Sequence, residues 1–230
     1  MKKIMKVTAL LLIAALCIFT AAGCGSDNTG TTSGGTAEPS SSAQTEGQET
    51  GPLQGSKIYE GEELLSGLHH VEIDVKDCGT ISLELDADTA PQSVSNFIAL
   101  AKSGFYDGLT FHRIINGFMI QGGDPEGTGM GGAPDTITGE FAANGIENPV
   151  SHVRGVISMA RSQMYNSASS QFFITQADCT FLDGQYAAFG TVTSGMEVVD
   201  QLAANTPVQD DNGTVAAEDQ PVITAVRVMD

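Results

Sequence analysis

Alternating apolar and polar residues predict a β-hairpin in the first half of the chain. Residues 71–75 (Val-Glu-Ile-Asp-Val) alternate strictly, and so do residues 81–85 (Ile-Ser-Leu-Glu-Leu). Asp77-Cys78-Gly79 lies between the two runs and supplies a turn. Because successive side chains of a strand point to opposite faces, each strand would bury one face and leave the other in water.

A helix is predicted directly after this hairpin. Asp88 or Thr89 can cap its first turn, Pro91 fits within that turn, and Gly104 ends it. Four apolar residues in between recur at helical spacing: Val94, Phe97, Ile98 and Ala101.

Short apolar runs alternate with glycine-rich turns over the rest of the chain. Strands are predicted over residues 109–115, 118–121, 156–160, 172–174, 187–192 and 222–229. Ser194 and Glu197 form a capping box that would open a second helix, with three apolar residues facing inward: Met196, Val199 and Leu202. Many short strands with two helices predict a mainly β fold, a closed antiparallel barrel with the helices covering its ends.

The first 23 residues are typical of a bacterial signal peptide. Three lysines precede an apolar run of 16 residues, 7–22, which is shorter than the about 20 residues of a membrane-spanning helix. The run ends in Ala-Ala-Gly-Cys, which resembles a lipobox and predicts a lipid on Cys24. A branched aliphatic residue is more usual where Ala21 stands. Ordinary cleavage near Ala22, which would release an unanchored secreted protein, is the alternative.

Residues 24–55 are predicted to form a disordered tether after the lipidated cysteine. Gly, Ser and Thr make up 18 of the 31 residues 25–55, and Leu53 is the one large aliphatic residue there. Such a segment cannot bury enough apolar surface to fold. Residues 56–230 are predicted to form one globular domain.

The charge balance excludes several classes of function. The chain has 10 Lys and Arg against 28 Asp and Glu, a net charge of −18. A nucleic-acid-binding protein needs a basic face, and so does a protein that adheres to anionic lipid through its surface. The four cysteines include no Cys-x-x-Cys pair, so no zinc ribbon or thioredoxin-type site is predicted. The sequence leaves open whether Cys78 and Cys179 form a disulfide.

Other candidate sites lack the context that their chemistry needs. Residues 127–132 match G-x-G-x-x-G, but no helix pattern follows, which favours a mobile loop over a nucleotide site. The adjacent His69 and His70 and the isolated His152 do not form a metal-ligand pattern. Residues 210–213 (Asp-Asp-Asn-Gly) do not fit an EF-hand loop and predict an acidic surface loop. We therefore predict neither a metal nor a cofactor.

Four sequence blocks, which follow one another in this order, are specific enough together to indicate a protein family. They are Phe-His-Arg-Ile-Ile-Asn-Gly-Phe-Met-Ile-Gln-Gly-Gly-Asp at 111–124, Gly-Val-Ile-Ser-Met-Ala at 155–160, Ser-Ser-Gln-Phe-Phe-Ile at 169–174 and Phe-Leu-Asp-Gly-Gln-Tyr-Ala-Ala-Phe-Gly at 181–190. Together they closely resemble the cyclophilin family of peptidyl-prolyl cis-trans isomerases, over about residues 68–230. The resemblance implies an eight-stranded antiparallel β-barrel closed by two helices, which agrees with the pattern above.

The resemblance also implies the residues of a site. Arg113 would donate to the prolyl nitrogen of a twisted amide, and Gln121 would orient Arg113 and bind substrate backbone. An apolar pocket for the proline ring would consist of Phe118, Met119, Phe172 and Leu182. Further substrate contacts would come from Ala160, Arg161, Gln171, Phe181 and Tyr186. His112 would be structural, with its hydrogen bonds satisfied inside the barrel. Considered one at a time, the apolar residues would be interpreted as core residues and Arg113 as a charge on the surface of a strand. Their occurrence together in this pattern favours a substrate-binding site.

The implied function is acceleration of X–Pro isomerisation in unfolded or partly folded exported polypeptides. The enzyme would be a monomer without cofactor, anchored outside the cytoplasmic membrane. A catalytically weak module or holdase that only binds proline-containing segments is the alternative. Phe181 stands where many relatives have Trp, and Tyr186 where they have His. Because the family uses that Trp to bind cyclosporin, weak inhibition by this cyclic peptide is expected.

Overall fold

A computed structural model describes residues 63–230. The predicted signal peptide, Cys24, the tether and the domain boundary at residue 56 lie outside the described residues, so these remain predictions. No helix within the described range is long and apolar enough to cross a membrane.

Eight antiparallel strands form one curled sheet. Their bounds are β1 Leu68–Val75, β2 Gly79–Asp86, β3 Thr110–Ile115, β4 Met119–Asp124, β5 Val156–Met159, β6 Phe172–Thr175, β7 Ala188–Ser194 and β8 Ile223–Val228. Along the sheet they follow the order β3-β4-β6-β5-β7-β2-β1-β8. The mainly β prediction with eight antiparallel strands is therefore confirmed.

The alternation seen in the sequence places β1 and β2 as predicted. Ile73 pairs with Ile81 and Val71 with Leu83 across the hairpin, and all four side chains are buried. The polar residues between them point to the other face, as alternation along a strand requires. Asp77 adopts a φ of 59° in the turn, a conformation that Asp tolerates better than most residues.

The barrel is open, and the prediction of a closed one is wrong. The edge strands β3 and β8 approach each other only through an isolated bridge between Thr110 and Val222 and a few flanking backbone hydrogen bonds. The rest of the outer edge of β3 is bonded to a loop instead. Gly213 accepts from Ile114 N, and Val215 N donates to His112 O. Because that loop occupies the edge of β3, no ladder to β8 can form there.

Two helices pack on the sheet. They are α1, Pro91–Lys102, and α2, Met196–Asn205, close to the helices predicted from periodicity. Their caps differ from the predictions. Neither N-cap residue makes a side-chain hydrogen bond, so the capping box of Ser194 and Glu197 is wrong, and Gly195 begins α2 in the left-handed region instead.

A distant carboxylate satisfies the first turn of α1. Glu140 accepts hydrogen bonds from Gln92 N at 2.8 Å, Ser93 N at 2.9 Å and the Ser93 hydroxyl at 2.6 Å. Burial raises the pKa of Glu140, and these donors only partly oppose the rise. Asp88 and Thr89 do not cap the helix; their amides donate to Asp86.

The main core lies between the sheet and the helices. Phe97 of α1 contacts Phe172 of β6 edge to face, with ring centroids 5.4 Å apart, and Phe189 of β7 at 5.5 Å. Tyr106 and Phe111 complete this aromatic group against Phe172. The packing anchors β6, and β6 in turn supplies residues to the opposite face of the sheet, where the candidate site lies.

Candidate active site

A cavity of about 160 Å³ opens on the sheet face opposite the main core. Its lining is formed by Arg113, Phe118, Met119, Gln121, Ala160, Arg161, Phe173, Leu182 and Tyr186, and we call it the arginine cavity. Strand pairing creates the arrangement, because Arg113 of β3 lies directly opposite Gln121 of β4. Met119 is two residues from Gln121 and so shares its face.

Arg113 is held from two sides. Its Nη1 donates to Gln121 Oε1 at 3.1 Å, and its Nε and Nη2 donate to the backbone and side-chain oxygens of Asn212 at 2.8 and 3.2 Å. Burial lowers the pKa of the guanidinium, while Tyr186 and Asp210 raise it. An arginine nevertheless stays charged at physiological pH. The site therefore presents a fixed cation beside an apolar surface.

The contact with Asn212 was not foreseen from the sequence. Asn212 lies 99 residues from Arg113 along the chain, in the segment predicted to be only an acidic surface loop. The structure brings that loop against β3. No local motif signals a contact over this separation, so the sequence held no pointer to it.

A chain of amides continues from Arg113 across the site. Gln121 Nε2 donates to Gln171 Oε1 at 2.9 Å, and Gln171 Nε2 donates to Gly131 O at 2.7 Å. Gly131 belongs to a loop wrapped around Asp124, whose carboxylate accepts from four of its backbone amides, those of residues 126, 128, 129 and 131. Burial raises the pKa of Asp124, but the four amides together lower it by more, so its pKa lies below the usual value. The loop thus supports the orientation of Gln121 and Arg113.

The floor of the cavity is apolar. Met119, Phe173 and Leu182 are buried in a small cluster of their own, and Phe118, Ala160 and Tyr186 pack against it. Phe181 is 67% exposed and does not line the cavity; its ring lies 5.6 Å from that of Phe118. Phe181 therefore extends the apolar surface beyond the rim.

Phe173, rather than Phe172, faces this cavity, so the assignment of Phe172 to the proline pocket is wrong. Phe172 is fully buried in the main core, whereas Phe173 lines the arginine cavity. Neighbouring residues of a strand face opposite sides. The sequence could not tell which Phe faced which side, because β6 is buried on both faces and carries no exposed polar residue to mark one.

A second cavity of about 300 Å³ adjoins the first; we call it the side cavity. Three residues, Gln121, Ala160 and Arg161, line both cavities. Gln171 belongs to the side cavity together with Met130 and Ser169. The predicted site residues therefore lie around two adjoining cavities. Phe172 and Phe181 are the exceptions, since neither lines either cavity.

His112, next to Arg113, is buried but not satisfied. Neither ring nitrogen finds a hydrogen-bond partner among the described residues, which contradicts the expected pairing inside the barrel. Burial is the main reason why the pKa of His112 is lowered. The negative charge of Asp124 opposes this effect, and the positive charge of Arg113 adds to it. A side chain added at Gly129 would lie 3.5 Å from the ring, so His112 packs directly beneath the loop around Asp124.

We expect the free energy of unfolding to fall as the pH drops below about 6.5, the usual pKa of histidine. With a lowered pKa in the folded state, the unfolded chain binds the proton first, so stability is complete above that pH and declines below it. His112→Leu should make this decline shallower, with the remainder coming partly from His152, whose pKa burial also lowers. The variant should not be destabilised at pH 7.5, because an unpaired buried polar group is removed. Urea unfolding at several pH values measures both; an unchanged slope in the variant would contradict the assignment.

The two cysteines of the described residues do not form a disulfide with each other. Cys78 is half-buried, Cys179 is buried, and both are free thiols. Within residues 63–230, no group of three or more His, Cys, Asp or Glu side chains is placed to hold a metal ion.

Comparisons with known proteins agree with the geometry. Residues 70–228 match the model of the family "Cyclophilin type peptidyl-prolyl cis-trans isomerase/CLD". A peptidyl-prolyl cis-trans isomerase of Helicobacter pylori is 49% identical over 126 residues, covering 54% of this chain and 74% of that protein. The ppi1 isomerase of Schizosaccharomyces pombe is 42% identical over 149 residues, covering 64% and 92%.

A solved structure shares the fold. A Cryptosporidium parvum cyclophilin-type isomerase, crystallised in the presence of the dipeptide Ala-Pro, matches with a TM-score of 0.62 and 34% identity. The match covers 70% of this chain and 99% of that one.

Proposed function

The chain belongs to the cyclophilin-type peptidyl-prolyl cis-trans isomerases and is an enzyme of this class, and we propose that Arg113 is its catalytic residue. Isomerisation of an X–Pro bond is slow because amide resonance imposes a barrier of about 18–20 kcal/mol. No covalent bond needs to form or break. The enzyme has only to stabilise the twisted amide relative to the planar one.

The observation that carries this proposal is the fixed guanidinium beside the apolar floor of the cavity. As the amide twists, the prolyl nitrogen regains its lone pair and becomes a hydrogen-bond acceptor. Arg113 has five N–H donors in a rigid fork; its bonds to Gln121 and Asn212 fix the plane of that fork. Donors that are oriented beforehand stabilise the developing acceptor without reorganisation.

The apolar floor supplies the binding. Met119, Phe173 and Leu182 can bury the pyrrolidine ring equally well in the planar and twisted forms, so they hold the substrate without favouring one state. Phe118 and Tyr186 close the sides. Gln121 can donate to substrate backbone while it orients Arg113. The presence of a positioned arginine supports turnover rather than binding alone.

We further propose that the enzyme acts on exported polypeptides while anchored outside the cytoplasmic membrane. The support is the signal-like segment, the Ala-Gly-Cys junction at Cys24 and the Gly/Ser/Thr-rich residues that follow. One residue can carry two acyl chains there, which suffices for stable anchoring. A flexible tether of this length would reach roughly 30 Å from the membrane surface.

Fractionation of bacterial cells that express the full chain tests activity and location together. Proline-peptide isomerase activity should sediment with the membranes in wild type. Cys24→Ser should release the activity or leave the signal peptide uncleaved. Cys17→Ser, the same change inside the apolar run, is the matched control and should behave as wild type. Wild-type activity found wholly in the soluble fraction would refute the anchor, and no activity in any fraction would refute the enzyme assignment.

A further inference from the structure

The four arginines of the chain fall into two pairs. Arg154 donates to Asp200 at 2.6 Å and Arg227 to Glu72 at 2.7 Å. Arg113 and Arg161 form no ion pair with any carboxylate of residues 63–230. Both of these arginines line the arginine cavity. The two arginines without a carboxylate partner therefore lie at the same cavity of an acidic protein.

Arg161 is held rigidly by groups that do not cancel its charge. Its Nε and Nη2 donate to Gln185 O at 3.0 and 2.7 Å, and its Nη1 donates to Ser162 O at 2.9 Å. Its guanidinium carbon lies 4.7 to 5.2 Å from the centroids of three aromatic rings, those of Tyr186, Phe141 and Tyr165. Carbonyl dipoles and ring faces stabilise a cation but carry no net negative charge. The positive potential of Arg161 is thus available to a ligand.

The position of Arg161 determines which ligand would meet it. Arg161 lines both the arginine cavity and the side cavity. A peptide with its proline ring in the arginine cavity must therefore place a neighbouring residue close to Arg161. The chain carries a net charge of −18, so the protein as a whole does not attract anions. Attraction of an anionic side chain of a peptide bound at these cavities would come from the nearby guanidinium groups.

We propose that Arg161 makes this isomerase prefer proline bonds flanked by glutamate or aspartate. The preference rests on the proposed use of the arginine cavity for proline. Arg161 is half-buried as a residue and its guanidinium packs against three rings, so water screens its charge less than that of a fully exposed arginine. The same charge disfavours lysine at that position. Arg161 would then act as a specificity-determining residue, separate from the catalytic role of Arg113.

Matched proline peptides test the preference on the full chain. Each peptide carries Glu, Gln or Lys immediately before or immediately after the proline, and kcat/KM is measured for all of them. In wild type we expect the Glu peptide to exceed the Gln peptide by about threefold to tenfold at one of the two positions. The Lys peptide should fall below the Gln peptide there, and 0.5 M salt should shrink both differences.

Two variants test whether Arg161 causes the preference for Glu peptides. In Arg161→Gln the ratio of Glu to Gln peptides should approach one, whatever the overall activity of the variant. Arg227→Gln removes the same charge from a distant ion pair and should keep the wild-type ratio. A wild-type ratio near one at both positions, or an unchanged ratio in Arg161→Gln, would overturn the inference. Slow turnover of the neutral Gln peptide by wild type would instead count against the proposed function.

Discussion

Replacing Arg113 by alanine is expected to lower kcat/KM for a proline peptide by at least about a hundredfold while the protein stays folded. Arg113 would act on an acceptor that appears only as the amide twists. Removing a donor aimed at developing charge typically costs about 2.7–4 kcal/mol of transition-state stabilisation, or about 10²–10³ in rate. Peptide affinity should change less, because the proposed proline-binding surface of Met119, Phe173 and Leu182 stays intact.

Two further variants show whether the loss of kcat/KM is specific to the guanidinium of Arg113. Arg113→Lys should restore activity only in part, because a single ammonium cannot present two parallel donors. Arg154→Ala, which removes an arginine paired with Asp200 outside the cavity, should keep near wild-type kcat/KM. Circular dichroism recorded alongside establishes that each variant is folded. A folded Arg113→Ala protein with more than about a third of wild-type kcat/KM would show that the apolar cavity alone accounts for catalysis.

The neighbouring phenylalanines of β6 should respond to substitution in opposite ways. Phe172→Ala removes a fully buried ring from the main core and should lower the free energy of unfolding by about 3–5 kcal/mol. Its folded fraction should keep a wild-type KM. Phe173→Ala removes part of the cavity floor and should raise KM severalfold with a smaller loss of stability.

Urea unfolding and peptide kinetics on both variants separate stability from binding. Since the two substitutions are chemically identical and adjacent, any difference between them reflects the face of the strand alone. The reverse outcome, with Phe172→Ala raising KM and Phe173→Ala causing the larger loss of stability, would reject the side-chain orientation in β6.

The arginine that we propose as catalytic was identifiable from the sequence. The block 111–124 carries Arg113 and Gln121 eight residues apart, and the hairpin of β3 and β4 makes them cross-strand partners. A short hairpin brings such residues together by local geometry, so motif and structure agree. The partners that orient Arg113 from outside the hairpin, Asn212 above all, arrive from a distant segment and leave no local signal.

Hydrophobic periodicity alone was enough to predict the elements whose two faces differ in polarity. The hairpin of β1 and β2 and the helix α1 each have one apolar and one polar face, and the period of that difference distinguishes strand from helix. Features in which both faces are buried, or in which the partner is distant along the chain, depend on how the folded segments pack. Because β6 is buried on both faces, only the packing around it shows that Phe173 lines the cavity. Glu140 caps α1 from outside the helix. The barrel stays open because a loop, and not β8, bonds to the edge of β3. Each depends on which segments meet in space, which hydrophobic periodicity does not encode.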